Sequence, residues 1–238
     1  MTIQWGAASR RGVREVNADA SAVHQVPGTG VVAAAIVDGI GSSPAVARMA
    51  AVAAEVAARV GARRTPTIGI LAAAELVAAT DAATIDPEAE IPDGVAVLAV
   101  AEPGHPTAIA WTGDARAWGW DGRDLRQLTT DHTVGEYLRH NSGGGPIELL
   151  AAVHDNWVRA SLGQSSIATV HAADATDPVV LLTSDGVHDS LTHADLTALV
   201  RDNESDPDAL TAAIVAAVSA DPDGYRDDAT AIALRHTT

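Results

Sequence analysis

The chain has 238 residues, enough for one domain with a sizeable core, and its 47% apolar content at a mean hydropathy of +0.10 is that of a soluble globular protein. Its 31 acids against 15 bases give a formal net charge of -16, which argues against nucleic acid or an anionic membrane as a partner because both would repel it. The 15 bases are all arginine and there is no cysteine, which excludes a Walker A lysine, a pyridoxal Schiff base, a kinase lysine, disulfides, thiol nucleophiles and cysteine-ligated metals.

In chain order, residues 3–9 and 20–26 alternate as strands do, and 31–37 is a continuous Val/Ala/Ile run that predicts a fully buried strand ending at Asp38. Ser42-Ser43-Pro44 then supplies a cap and a first-turn proline for a helix to Val60, and a second helix is expected from about Pro66 to Ala83. The proline- and acid-rich stretch 86–94 reads as a connecting loop, not as a domain boundary. From 95 to 128 the pattern is a meander of strands at 95–101, 106–111, 116–120 and 125–128, with Asp121-Gly122 as a hairpin signal. Residues 131–154 read as helix and loop around a flexible Ser142-Gly143-Gly144-Gly145. Strands are expected at 167–172 and 179–183, helices at 192–202 and 207–219, and a last strand at 229–235. Strands grouped with strands, with helix pairs between them, favour an α+β sandwich over a doubly wound sheet, with residues 1–238 as a single domain.

Four strand-like runs adjoin a carboxylate: 31–37 leads to Asp38, 108–112 to Asp114 and 179–183 to Asp185, while 229–234 follows Asp227-Asp228. Carboxylates gathered where buried strands surface repel one another unless a cation sits among them, and hard ions such as Mg²⁺ and Mn²⁺ take oxygen ligands. A lone Asp-Gly is more often a hairpin turn. Asp38-Gly39 and Asp185-Gly186, however, each precede a helix-like segment, so the turn explanation fits them poorly. Of Asp227 and Asp228, only one can face a given side of a strand, and the other is expected to be solvated.

The order and wording of these segments resemble the protein phosphatase 2C family of metal-dependent Ser/Thr phosphatases, bacterial type. Arg14-Glu15-Val16-Asn17-Ala18-Asp19-Ala20 is similar to the family's opening Arg-x-x-Asn-Glu-Asp-Ala. Asp38-Gly39-Ile40-Gly41 resembles Asp-Gly-Met-Gly, Gly113-Asp114-Ala115-Arg116 resembles Gly-Asp-Ser-Arg, and Leu128-Thr129-Thr130-Asp131-His132 resembles Leu-Thr-x-Asp-His. Val158-Arg159-Ala160-Ser161-Leu162-Gly163, Ser184-Asp185-Gly186-Val187-His188-Asp189 and Asp227-Asp228-Ala229-Thr230 resemble the later Thr-Arg-x-Leu-Gly, Ser-Asp-Gly-Leu-x-Asp and Asp-Asn-x-Thr motifs. The resemblance implies a four-layer α-β-β-α sandwich of two antiparallel sheets flanked by helix pairs. It implies two Mg²⁺ or Mn²⁺ ions and a weaker third, with Asp38 bridging the first two, the Gly39 carbonyl assisting, Asp185 and Asp227 completing the first shell, and Asp114 with Asp185 serving the third. Asp38 and Arg14 would be the catalytic residues, Arg14 clamping the substrate phosphate. Phosphorylated proteins in a Ser/Thr kinase pathway would be the partners, with neither nucleic acid nor membrane.

One departure bears on activity. The family's Glu, a ligand of the second metal, is replaced by Ala18, so the second site is expected to be weakened, and Asn17 and Asp19 would point away from the face Ala18 occupies. The alternative is therefore a catalytically weak or inactive pseudophosphatase used for phospho-recognition or regulation. An aspartate-nucleophile phosphatase of the haloacid dehalogenase type is disfavoured by the missing Asp-x-Asp pair and lysine. His132, His188 and His193 read as solvated or structural, and Trp5, Trp111, Trp118 and Trp120 as core filling in a chain without Phe. No apolar leader follows the first charges, which reads as a cytoplasmic protein, and the Ala/Arg/Gly/Asp bias reads as GC-rich, actinobacterial coding.

Overall fold

In the computed structural model, residues 1–78, 91–142 and 144–237 are described. The end of the second expected helix and most of the 86–94 loop lie outside these residues, as does Gly143. Strand β1 (Thr2–Arg10) is followed by β2 (Asp19–Gln25), β3 (Val32–Ile40), helices α1 (Pro44–Gly61) and α2 (Pro66–Ala78), and strands β4 (Asp93–Ala101), β5 (Thr107–Thr112), β6 (Arg116–Trp120) and β7 (Leu125–Gln127). Helices α3 (Val134–Ser142) and α4 (Gly145–Ala152) come next, then β8 (His171–Ala175), β9 (Val179–Thr183), α5 (Asp185–His188), α6 (His193–Asn203), α7 (Pro207–Ala217) and β10 (Ala229–Thr237).

The strands form two five-stranded antiparallel sheets, one in the order β1-β10-β9-β6-β7 and the other β2-β3-β4-β5-β8. The period of two along a strand sorts their side chains. On β3, Val32, Ala34 and Ile36 meet β4, β9 and β10 residues between the sheets, whereas Ala33, Ala35 and Val37 face α1 and α2. Burial on both faces is why this strand reads as an uninterrupted apolar run. On the other sheet, Val180, Leu182, Ile232 and Leu234 face inward, while Trp118, Trp120, Leu181 and Ala233 pack under α6 and α7. The result is the four-layer α-β-β-α sandwich. The helices start where capping chemistry permits: Ser43 accepts from the Val46 N–H before Pro44, Thr192 from Asp195, and Asp206 from Asp208 and Ala209 beside Pro207.

Several expectations are corrected. β3 does not stop at Asp38, because pairing with β4 continues to Ile40↔Asp93, which also moves Asp93-Gly94 from loop into strand. Residues 167–170 form a turn closed by Ser166 and Thr169, so β8 begins only at His171. Trp5 is 44% exposed, because β1 is an edge strand with only one neighbour, and Trp157 is also exposed. Among the described residues no helix is long and apolar enough to cross a membrane.

Candidate metal centre and catalytic cleft

The alternation that buries Ile36 carries Asp38 to the same side, at the mouth of the gap between the sheets. β2 pairs with β3 so that Asp19 stands directly opposite Asp38, placing two carboxyl groups on one face of neighbouring strands. Asp185 opens α5 immediately after β9, behind the extended Ser184. Asp114 follows β5 through Gly113, whose φ of +90° and whose contact with Val95, 2.1 Å from any added Cβ, leave room only for glycine. Asp227 precedes β10. Arg14, Asp38, Gly39, Asp114, Asp185 and Asp227 all line one cleft of about 400 Å³, with Ile40, Gly41, Val95, Asn156 and Val158 completing its wall.

The electrostatics are those of like charges brought together. Burial, followed by the charges of Asp185 and Asp19, raises the Asp38 carboxyl well above its ordinary range. Burial likewise raises Asp185, which is held down in part by a hydrogen bond from Asp38. Asp114 is pushed up to about 7 by burial and then by Asp185 and Asp131, and Asp189 to about 6 by burial and Asp185. Asp19 is pushed up to about 7 by burial, although the Ser184 hydroxyl donates to it at 2.7 Å.

This donor set fits a hard divalent ion: buried carboxylates that cannot all ionise together, beside the Gly39 carbonyl, would be ionised by a cation and would offer it only oxygen. It is not closed into a cage. Among the described residues no three acidic or histidine side chains are grouped tightly enough to hold an ion as they stand. Asp227 has protein partners of its own: its Oδ2 takes the Arg14 Nη2 at 3.2 Å and its Oδ1 takes the Asp228 N–H at 2.8 Å. The Arg14 guanidinium also lies 5.7 Å from the centre of the Tyr225 ring.

Asp228 is the correction at this site. It was the candidate for a solvated neighbour, yet it is 2% exposed, and its two oxygens accept from the Gly12 and Ala18 N–H groups at 2.7 Å each. It thereby ties the Arg14 loop to the head of β10. Asp227 is the more exposed of the two, at 26% of its side chain. Asp19 also belongs to the acidic face. It does lie opposite in face to Ala18, whose Cβ sits 3.4 Å from a Cβ built on Gly39, on the α1 side, but that same alternation turns Asp19 toward Asp38.

The histidines near the motifs have structural partners. His132 Nδ1 accepts from the Gly113 N–H at 3.2 Å, and burial, with His171 and Arg159 nearby, pushes the ring down to about 4. His188 is half-buried, and desolvation followed by Arg116 holds its ring well below the ordinary value; its Nδ1 accepts from the Thr183 hydroxyl, which itself accepts from Trp118. His193 packs beside Trp118 with ring centres 5.9 Å apart.

No family model and no curated protein sequence matches the chain. Solved structures do. The serine/threonine phosphatase PstP/Ppp of Mycobacterium tuberculosis matches with a TM-score of 0.77 at 19% identity, over 100% of both chains. The fold is that of the bacterial serine/threonine phosphatases. The Streptococcus agalactiae serine/threonine phosphatase matches with a TM-score of 0.79 at 15% identity, over 99% of this chain and 100% of that one. A further similar structure, the PstP catalytic domain in complex with two manganese ions, matches with a TM-score of 0.72 at 19% identity, over 98% of this chain and 97% of that one.

Proposed function

We propose that the chain is a metal-dependent protein phosphatase of the protein phosphatase 2C type, hydrolysing phosphoserine or phosphothreonine. The observation that carries this reading is the convergence of Asp38, Asp114, Asp185, Asp227 and Arg14, distant in sequence, on a single cleft in a phosphatase fold. A bound pair of Mg²⁺ or Mn²⁺ ions would supply an activated water and neutralise charge on the phosphoryl group. Asp38 and the Gly39 carbonyl would hold both ions, Asp185 and Asp227 would hold one, and Asp114 with Asp185 a weaker third. Arg14 offers its planar fork to the phosphate. Its present partner is Asp227. Taking up an ion would turn that carboxylate away from the guanidinium and leave Arg14 free for substrate. No protein nucleophile is needed, in keeping with a chain that has neither cysteine nor lysine.

Phosphorylated proteins of a Ser/Thr kinase pathway would then be the substrates, within the cytoplasm. Purified chain with Mn²⁺ should release phosphate from a phosphoserine peptide and from p-nitrophenyl phosphate, and Asp38→Ala or Asp185→Ala should abolish release. Turnover that persists in EDTA overturns the reading.

A second reading, a pseudophosphatase, is favoured by one observation. Ala18 is 1% exposed and brings no carboxylate to the second metal. Calorimetric titration separates the two: a pair of tight Mn²⁺ sites supports the enzyme, whereas one weak site without turnover, restored by Ala18→Glu, supports the regulatory module.

A further inference from the structure

The side chains of the metal cleft are nearly all acceptors or apolar. Of the described residues that line it, four bring carboxylates, and only Arg14 and Asn156 carry side-chain N–H groups. A phosphate monoester presents non-bridging oxygens and negative charge, so it is held by donors and repelled by carboxylates that no ion covers. Arg14 is one donor, and its guanidinium is shared with Asp227 at 3.2 Å. Asn156 is the other. It is exposed, and its amide has no hydrogen-bond partner among the described residues.

Its place is central. Three cavities, of about 510, 480 and 400 Å³, adjoin at the acidic cluster, and Asn156 and Asp185 are the two residues that line all of them. The turn that carries Asn156, just after α4, is fastened on both sides. The Asp155 carboxylate receives a fork from Arg139, Nη1 on Oδ1 at 2.6 Å and Nη2 on Oδ2 at 2.7 Å. The Trp157 N–H donates to the His154 carbonyl at 3.1 Å, and the Trp157 carbonyl accepts from the Val134 N–H at 2.8 Å. Val158 forms a bridge with Thr133. Neighbours held in this way fix the backbone of a side chain that is itself left free at the cleft, which is the arrangement of a preorganised donor.

We propose that Asn156 contacts the substrate, its Nδ2–H group donating to a non-bridging oxygen of the phosphoryl group that Arg14 holds from a different segment of the chain. A neutral amide adds a donor without adding charge beside the carboxylates that the ions would use. The inference rests on the phosphatase reading for the identity of the anion and goes beyond it in assigning a second protein donor.

The test is calorimetric. The full chain is titrated with Mg²⁺ alone, and the Mg²⁺-saturated chain is then titrated with inorganic phosphate, which needs no turnover to report on the contact. Asn156→Ala should weaken phosphate binding at least tenfold, the size expected for one donor to a charged acceptor. Its Mg²⁺ affinity and its melting midpoint should stay those of the parent, because the amide holds neither an ion nor another part of the fold. Asn156→Asp, of the same shape but without the N–H, should lose at least as much phosphate affinity. With p-nitrophenyl phosphate both variants should lose kcat/KM. The proposal is overturned if either variant binds phosphate as the parent does, or if Asn156→Ala weakens Mg²⁺ binding, which would make the side chain an ion ligand. A parent chain that neither binds phosphate with Mg²⁺ nor hydrolyses the ester overturns the phosphatase reading and this contact together.

Discussion

Replacement of Asp228 tests whether the loop that carries Arg14 is fastened as the structure indicates. The buried carboxylate accepts two backbone N–H groups, Gly12 on Oδ1 and Ala18 on Oδ2, at 2.7 Å each. Asp228→Ala removes both bonds and leaves two buried donors without acceptors. At about 1.5–3 kcal/mol for each bond to a charged group, the loss is about 3–6 kcal/mol. For a chain of this length, where 1 kcal/mol moves the midpoint by about 2–4 °C, that is a fall in Tm of roughly 6–24 °C. Asp228→Asn keeps an oxygen for one donor and turns an amide N–H toward the other, so about half the loss is expected. Urea unfolding at pH 7 in chelator, with the midpoint and slope fitted separately, gives the numbers. An alanine variant within about 1 kcal/mol of the parent would refute the reasoning, as would an asparagine variant no better than alanine.

Three further outcomes follow from the same geometry. Because Asp19 and Asp114 are carried from 3.8 to about 7, the metal-free fold binds more protons than the unfolded chain, so its stability should fall as pH rises from about 4 to about 7, by up to about 4 kcal/mol per group. Asp38→Asn should therefore stabilise the chelated protein more at pH 8 than at pH 5 in urea melts, and a gain independent of pH would contradict the carboxyl repulsion. Ala18→Glu puts a carboxylate beside Gly39 at a position only 1% exposed, so it should lower the metal-free Tm yet tighten Mn²⁺ binding at least tenfold by calorimetry. Unchanged Mn²⁺ affinity would remove position 18 from the metal shell. Gly113→Ala combines a φ of +90° with a Cβ 2.1 Å from Val95 and should cost about 3 kcal/mol or more in a thermal melt. A loss below about 1 kcal/mol would mean that the turn relaxes freely.

How far the site could be read ahead of the structure depended on the range of the interactions. β3 and β9 were legible because burial on both faces leaves an uninterrupted apolar run, and Asp38, Asp114 and Asp185 were legible as the carboxylates at strand ends. Asp19 beside Asp38 was not, since it follows from the β2–β3 register, a cross-strand property that no local pattern carries. The burial of Asp228 has the same origin. Alternation says that the two differ, but only the closure of the 12–18 loop over β10 decides which is buried. A backward count from Ile232, which faces the gap between the sheets, would have placed Asp228 on the inward side. Trp5 was misjudged because its exposure depends on β1 lying at a sheet edge, and the late start of β8 because Ser166 and Thr169 close a turn that apolar content does not announce.

The position of β10 also governs how the molecule is made. This strand follows the other nine described strands in chain order, yet it lies second in its sheet and pairs with β1 along nine residues, from Thr2↔Thr237 to Arg10↔Ala229. Until it leaves the ribosome, β1 has no neighbour, the β9 edge stays open, and Asp227 and Asp228 are absent. A nascent chain short of these residues lacks part of the cleft and exposes unpaired strand edges, so the two-sheet fold closes only after β10 has been made.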